Sequence, residues 1–480
     1  MKELKSLPLD ERIKLARRCE PFFLAYKSHP VFRGVHTRIA NIVHELDTKR
    51  YEPEIWTLIS ATTQTIRYDS DSVFMSFKKD NYDTANKITK KKIKCTRMAD
   101  LVELLEAKGY LTRYNGYNFN SNSLRGVENA MRSVLIFHEE WFKLFDVKLC
   151  KSHGTAREFD LVIVKDKNGK VTTTKGLRGI GEEKKVLKDM NNTLDNNIIT
   201  IQGQRVKPLY KSVFNNSSLD SGGRLYAGSF STEKAELRPT IEINGDPCCE
   251  VDYKNMHFRI LYNEIGIDFK DDCYAINCPD GWNKKELRTL TKQAGVILLN
   301  ASSKSAAKKA INLELRSSKK FEYNTLPKKP STVDYILKEM ELLHEPIAHN
   351  FYLGEWDRLQ NIDSRIAKQI IKAFNVLGVP ILTYHDSFIC QSEYRDYLIQ
   401  TMREAWEIVL GDSLGFGFDI EFYNTPETVT GHLQEVVPLE VYPMHYFEKQ
   451  SRRESYKVSH GMEPTPPSVV DDFWNQGLED

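Results

Sequence analysis

The chain has 480 residues, enough for about two to four domains, and carries 68 Lys and Arg against 66 Asp and Glu. A net charge of only +2 excludes a uniformly basic nucleic-acid coat, so any such surface has to be local. Eight scattered cysteines without a CxxC pair argue against a disulfide or zinc framework, and no apolar run reaches a membrane span or a signal h-region; the expectation is an intracellular protein, cytoplasmic or nucleoid-associated.

In chain order, residues 1–60 predict helices with apolar faces from Leu4, Leu7, Ile13 and Leu15 and then Ile39, Ile42, Val43 and Leu46. Met98, Leu101, Val102 and Leu105 recur at helical spacing and predict a helix over 96–109, with Thr96 as cap and Gly109 as stop. Tyr110–Phe119 predicts a hairpin with Asn115-Gly116 at its turn. A helix followed at once by a hairpin resembles a winged helix, and the Lys87–Lys94 run places positive charge beside it. Lys90, Lys91, Lys92, Lys94 and Arg97 are therefore the candidate contacts to DNA phosphates. The alternatives are a solvated face on a structural helical domain, or a winged helix that binds protein.

Another amphipathic helix is expected over 128–150, from Met131, Val134, Leu135, Phe142 and Leu144. Phe159–Val164 and Val171–Thr174 flank a turn at Asp166–Lys170, 181–197 reads as helix, and Ile198–Ile201 as strand. In Ser221-Gly222-Gly223-Arg224 the glycines allow close backbone approach and Arg224 can pair with a phosphate; a plain hairpin turn is the alternative. IEINGDPCCEVDY predicts strand ending at Asp252, after which Met256, Ile260 and Leu261 recur at helical spacing. Residues 283–315, with Lys284, Lys285, Arg288, Lys292, Lys304, Lys308 and Lys309, are the most basic helical stretch. A loop is expected at 319–332 and helix over 332–357, followed by a helix over 359–371 capped near Asp363. Val379–Cys390 is a second β-like run, interrupted by Asp386. A helix at 393–411, a strand at 418–423 and a polar tail from Ser451 complete the chain.

A carboxylate at a strand end is firmly held and suits a metal ligand, although an isolated Asp there can equally cap a turn. Two such acids on neighbouring strands could share two divalent cations about 3.5–4 Å apart, the arrangement used for in-line phosphoryl transfer.

The residues around both acids carry a resemblance. Asp252–Leu261, DYKNMHFRIL, resembles motif A of family A DNA polymerases, DYSQIELRIL. His385-Asp386-Ser387 resembles motif C of that superfamily, HDE in the DNA polymerases and HDS in the single-subunit RNA polymerases. Between them Arg288-Thr289-Leu290-Thr291-Lys292 matches the R-x3-K opening of motif B. The resemblance spans about residues 215–425.

It implies an α+β right-hand fold: an antiparallel palm at 213–282 and 358–450, helical fingers at 283–357, and a thumb-like region at 127–212. A helical, winged-helix-like DNA-binding domain at 1–126 would precede these, and a flexible tail at 451–480 follow. It implies a template-dependent DNA polymerase using dNTPs on a DNA template-primer, for replication of a phage, plasmid or mobile element. Asp252 and Asp386 would hold two Mg2+ ions, with Mn2+ as a substitute, and the Tyr253 carbonyl would be a further ligand. His385 would orient near the primer end, and Arg288 and Lys292 would neutralise the triphosphate. Arg224 and Gln360 resemble residues the family places along the primer-template. No 3′–5′ exonuclease cluster is visible. His257 stands where these polymerases carry a Glu that excludes the ribose 2′-hydroxyl, and Val296 and Asn300 stand at aromatic positions of motif B, which leaves sugar choice open. The alternatives are a primase or small RNA polymerase using NTPs, a DNA-binding initiator with an inert palm, and a two-metal nuclease.

Overall fold

The computed structural model describes residues 30–67, 71–79, 82, 83, 86, 92–114, 133–152, 161–228, 230–233, 235–318, 322–422, 428–431, 443–460 and 462. Among them it is a mixed α+β structure with three sheets, predominantly antiparallel.

In the N-terminal part, helices Arg33–Ile42, Glu52–Arg67 and Cys95–Ala107 accompany an antiparallel sheet of β1 (Ser72–Met75), β2 (Leu111–Tyr114) and β3 (Ser133–Phe137), in the order β1-β3-β2. The 95–107 helix buries Met98, Leu101, Val102 and Leu105, as its periodicity predicts. Gly109, with φ +77°, ends it: the Gly109 and Tyr110 amides donate to the Glu106 and Leu105 carbonyls at 2.9 Å each. Thr96 is not its cap; Lys94 holds that position without a side-chain bond.

The expected Asn115-Gly116 turn and Tyr117–Phe119 lie outside the described residues; the strand that pairs with β2 is β3. The helix expected over 128–150 is therefore corrected from 133 onward to β3 and two short helices, Glu139–Phe142 and Val147–Ser152. A short, continuous apolar run such as SVLIF suits a buried middle strand as well as a helix, and pairing with β1 and β2 decides it. Leu135, Phe137, Trp141, Phe145 and Cys150 join the hydrophobic cluster of Phe32, Ile59 and Leu101, so this unit continues past 126.

The rest is built on a larger core. β4 (Val162–Val164) precedes the expected 166–170 turn, where Asp166 accepts from the Asn168 and Lys170 amides at 2.9 Å each. After helix Ile180–Asp195 come β5 (Ile199–Ile201), β6 (Gln204–Val206), β7 (Lys211–Phe214) and β8 (Gly222–Tyr226). β9 (Ile241–Ile243) and β10 (Asp246–Tyr253) lead into helix Met256–Glu264. Helices Lys284–Asn300, Lys304–Ser317, Pro330–Leu343 and Trp356–Leu377 follow, then β11 (Leu382–Tyr384), β12 (Ser387–Gln391), helix Arg395–Leu410, β13 (Phe418–Phe422), β14 (Thr428–Gly431) and helix Pro443–Ser459.

β4-β7-β8 form a small sheet in which β4 and β7 run parallel. The eight-stranded sheet is antiparallel in the order β11-β12-β10-β9-β5-β6, with β13 and then β14 added beside β10. Strands β5 and β6, upstream of the 213 boundary, belong to this sheet.

Three further expectations are corrected. The 332–357 helix is broken: 330–343 is α-helical, 345–350 is a 3-10 turn, and Gly354 with φ +72° interrupts before 356. Asp363 caps nothing, because the helix starts at Trp356 and Asp363 lies inside it, 2 % exposed. Nor is the chain a tail directly from Ser451. Arg453 of helix 443–459 is buried and donates to Asp246 Oδ2 and Glu393 Oε1 at 2.5 Å each, partners no local pattern shows.

Candidate active site

Alternation along β10 sends Val251 and Tyr253 into the core and leaves Glu250 and Asp252 on the opposite face. Tyr253 is 1 % exposed, its hydroxyl donating to the Met402 carbonyl at 2.6 Å, so only its backbone is available to a ligand. On one flank Asp252 is in register with Ser387 of β12, and on the other with Asp419 of β13. Tyr384 and Ser387 close the β11–β12 hairpin, so His385 and Asp386 are its two turn residues; His385 takes a left-handed backbone, φ +63°, as such turns require at the first position. The Tyr253 amide donates to the Asp386 carbonyl at 3.1 Å and ties this turn to the end of β10. The two acids are thus brought together.

They are brought together with few countercharges. Burial first, then Asp386, Glu250 and Asp419, push the Asp252 carboxyl well above its usual range, and Lys292 pulls the other way. Burial and then Asp363 raise Asp386 against its own amide, His257 and Arg224. Among the described residues neither acid makes an ion pair. Asp419 Oδ1 is buried without a hydrogen-bond partner. Carboxylates crowded together in this way fit a divalent cation, whose charge would offset the repulsion. Among the described residues no three His, Cys, Asp or Glu side chains converge as a metal-binding group.

The helix Lys284–Asn300 is capped by Asn283, which accepts from the Lys285 and Glu286 amides. Lys292, Val296 and Asn300 share its exposed face, with Val296 51 % exposed. Arg288, on the same stripe, is already engaged: Nε and Nη2 donate to the two carboxylate oxygens of Asp272 at 2.5 and 3.1 Å.

Arg224 is engaged too. A Cβ at Gly223, where φ is +97°, would sit 2.7 Å from both Phe214 Cε1 and Ser364 Oγ, so only glycine lets β8 lie this close to helix 356–377. From there Arg224 Nε donates to Asp363 Oδ2 at 2.9 Å, and His257 Nε2 stands 3.4 Å from Arg224 Nη2. Burial alone would raise Asp363, but His257 and Arg224 outweigh it and hold the carboxyl below its usual range. His385, exposed, makes an edge contact with Tyr226, ring centroids 6.0 Å apart. Gln360 is half-exposed near the start of helix 356–377.

Arg259, which matches the arginine of motif A, is scaffold: it is 1 % exposed and donates from Nη1 to the Gly415 carbonyl at 2.8 Å, bracing the turn before β13. In the N-terminal unit Lys92 and Lys94 are exposed, and Lys90 and Lys91 lie outside the described residues. Arg97 is taken up by the buried Glu54, with Nε to Oε1 at 3.0 Å, which leaves it no evident place on a phosphate.

Sequence reasoning missed Glu250, Asp272, Asp363 and Asp419. Glu250 and Asp419 had a signal, an acid alternating with apolar residues in CCEVDY and FDIEF. Glu250 accepts from Ser387 Oγ, which ties its carboxylate to the start of β12.

No protein-family model matches the chain, and no curated protein matches it. Among solved structures it is similar to the POL domain of Pol1 from M. smegmatis in complex with DNA primer-template and dNTP, at 10% identity and a TM-score of 0.29, over 88% of this chain and 72% of that one.

Proposed function

We propose that the chain is a template-directed nucleotidyltransferase that extends DNA from dNTPs. The observation that carries this reading is the joining of Asp252 and Asp386 through the Tyr253–Asp386 backbone bond, with the Lys292 charge acting on Asp252. The eight-stranded sheet would be the palm, and the helices between 284 and 343 the fingers. The 127–212 stretch would be the thumb-like region in part only, since β5 and β6 extend the sheet.

Phosphoryl transfer asks for positioning and charge neutralisation more than for covalent help. Asp252, Asp386 and the Tyr253 carbonyl would hold Mg2+ or Mn2+, which when bound supplies charge stabilisation at the attacking and leaving oxygens. Lys292, on an exposed helix face, would neutralise the triphosphate, and Arg288 would join once released by Asp272. His257 faces the sugar, His385 the primer end, and Gln360 the template-primer.

In the N-terminal unit the order helix, β1, helix, β2, β3 supports a winged helix, with Lys92 and Lys94 open for duplex DNA. Among the described residues no helix is long and apolar enough to cross a membrane.

A second reading, synthesis from NTPs, draws on Ser387 in motif C and on the hydrogen-bonding capacity of His257. Primer extension with dNTPs and with NTPs, each with Mg2+, tests both readings. Extension with neither, by folded protein on primed DNA, removes them.

A further inference from the structure

Asp363 has no role in the reading above, yet it is the most enclosed acid near the site, with a side chain 3 % exposed. It sits where three segments meet. Helix 356–377 carries it. Asn361 and Ser364 on the same helix bind the Gly222 carbonyl at 3.2 and 3.3 Å and pull β8 against the helix. The third segment is helix 256–264, which brings His257.

One oxygen, Asp363 Oδ2, receives Arg224 Nε and Nη2 at 2.9 Å each and faces His257 Nε2 at 3.8 Å. Arg224 and His257 are themselves 20 % and 26 % exposed. The anchor is thus buried and the two groups it holds are open on one edge. That edge adjoins the acid pair: His257 lies on the helix that follows β10 and its Asp252, and Tyr226, two residues beyond Arg224 on β8, contacts the ring of His385 beside Asp386.

We propose that Asp363 is the positioning residue for sugar selection, holding the His257 ring and the Arg224 guanidinium as one fixed edge against the sugar of the incoming nucleoside triphosphate. This rests on the nucleotidyltransferase reading. A half-exposed histidine on a helix surface could turn aside for an extra hydroxyl. One held against a buried carboxylate and flanked by a guanidinium keeps its ring in place, and the 2′-hydroxyl of a ribonucleotide meets it. Discrimination then belongs to the three residues together, although only the His257 ring meets the 2′-hydroxyl and Arg224 acts by flanking that ring.

The test is single-nucleotide incorporation of dATP and ATP opposite one template thymine. It compares wild type, Asp363→Asn, His257→Ala and the double variant, with thermal melting of each. The expected result is a dATP:ATP ratio of kcat/KM that falls about tenfold in Asp363→Asn, while kcat for dATP changes by less than about threefold. In the His257→Ala background the same substitution should move the ratio by less than about twofold, because the route through the ring is gone. Arg224→Lys is the second probe and serves if Asp363→Asn does not fold: it keeps a cation beside the acid but removes the fork, and should lower the ratio in the same direction. An equal loss with both nucleotides would make Asp363 a purely structural residue and overturn the proposal. A shift that persists without His257 would also overturn it. Wild-type protein that incorporates neither nucleotide would instead remove the polymerase reading, and the proposal with it.

Discussion

The amide of Tyr253 and the carbonyl of Asp386, 3.1 Å apart, join the end of β10 to the β11–β12 turn. The side chains of Asp252 and Asp386 are held by this backbone frame and do not hold it together. Asp252→Asn and Asp386→Asn should each lower primer extension more than about 100-fold, at least about 2.7 kcal/mol of transition-state stabilisation. The melting temperature should stay level or rise, because repulsion with the neighbouring acids is relieved. Retention of a tenth of wild-type extension by either variant would contradict the assignment.

Asp272 occupies the guanidinium that the triphosphate would use. The pair is half-exposed, with side chains 51% and 33% accessible, so it is worth at most about 1 kcal/mol. Asp272→Asn should therefore lower KM for the nucleotide about two- to fivefold and leave kcat nearly unchanged. A raised KM in steady-state kinetics would show that Asp272 aims Arg288 at the substrate.

The basic run and Arg97 should separate cleanly. Replacing Lys90, Lys91, Lys92 and Lys94 by Gln should weaken duplex binding and flatten its salt dependence, by about 0.9 in log–log slope for each phosphate no longer neutralised. Arg97→Gln should instead destabilise the N-terminal unit by about 3 kcal/mol, because it leaves the buried Glu54 carboxylate without its countercharge and with the Lys94 amide as its remaining donor. Binding isotherms across salt and denaturant melts distinguish the two outcomes.

His344, buried, donates from Nε2 to the Cys273 carbonyl at 2.8 Å and accepts at Nδ1 from the Tyr262 hydroxyl at 2.9 Å. Burial lowers its pKa from 6.5 to about 4. Between these values the unfolded chain binds a proton that the folded chain does not. This contribution to stability is therefore complete above pH 6.5 and is lost as the pH falls toward 4, about 3 kcal/mol in all. His344→Gln should shrink the pH dependence of the denaturation midpoint in that window; an unchanged slope would assign it to other groups.

How much of this is legible in the sequence depends on whether the deciding partner is local. Gly109 stopping its helix, the Asp166–Lys170 turn and the period of Met98, Leu101, Val102 and Leu105 are written within a few residues of where they act. So is Asp252, an acid ending an apolar strand. Residues 133–137 carry a helical pattern, yet their fate rests on β1 and β2. Asp363 resembles a cap because an Asp before a helical pattern commonly is one; Arg224, distant in sequence, gives it another role. Arg453 resembles a solvated cation because Asp246 and Glu393 are invisible from its neighbours. Arg224, Arg288 and Arg97 are all recognisable as cations, but the acids that already hold them are not.

The placement of β10 between β12 and β13 has a consequence for synthesis. Two of its three neighbours come from 387–391 and 418–422, late in the chain, and the helix that covers Asp246 comes later still. Domains form as units and the earlier one forms first on the ribosome, so the 30–152 unit, with its own core, has what it needs long before the acid pair does. Pairings of such separation are also slow to close. A nascent or prematurely ended chain is thus a folded head on an unfinished sheet, and the pairing of Asp252 with Asp386 is among the last features this polypeptide assembles.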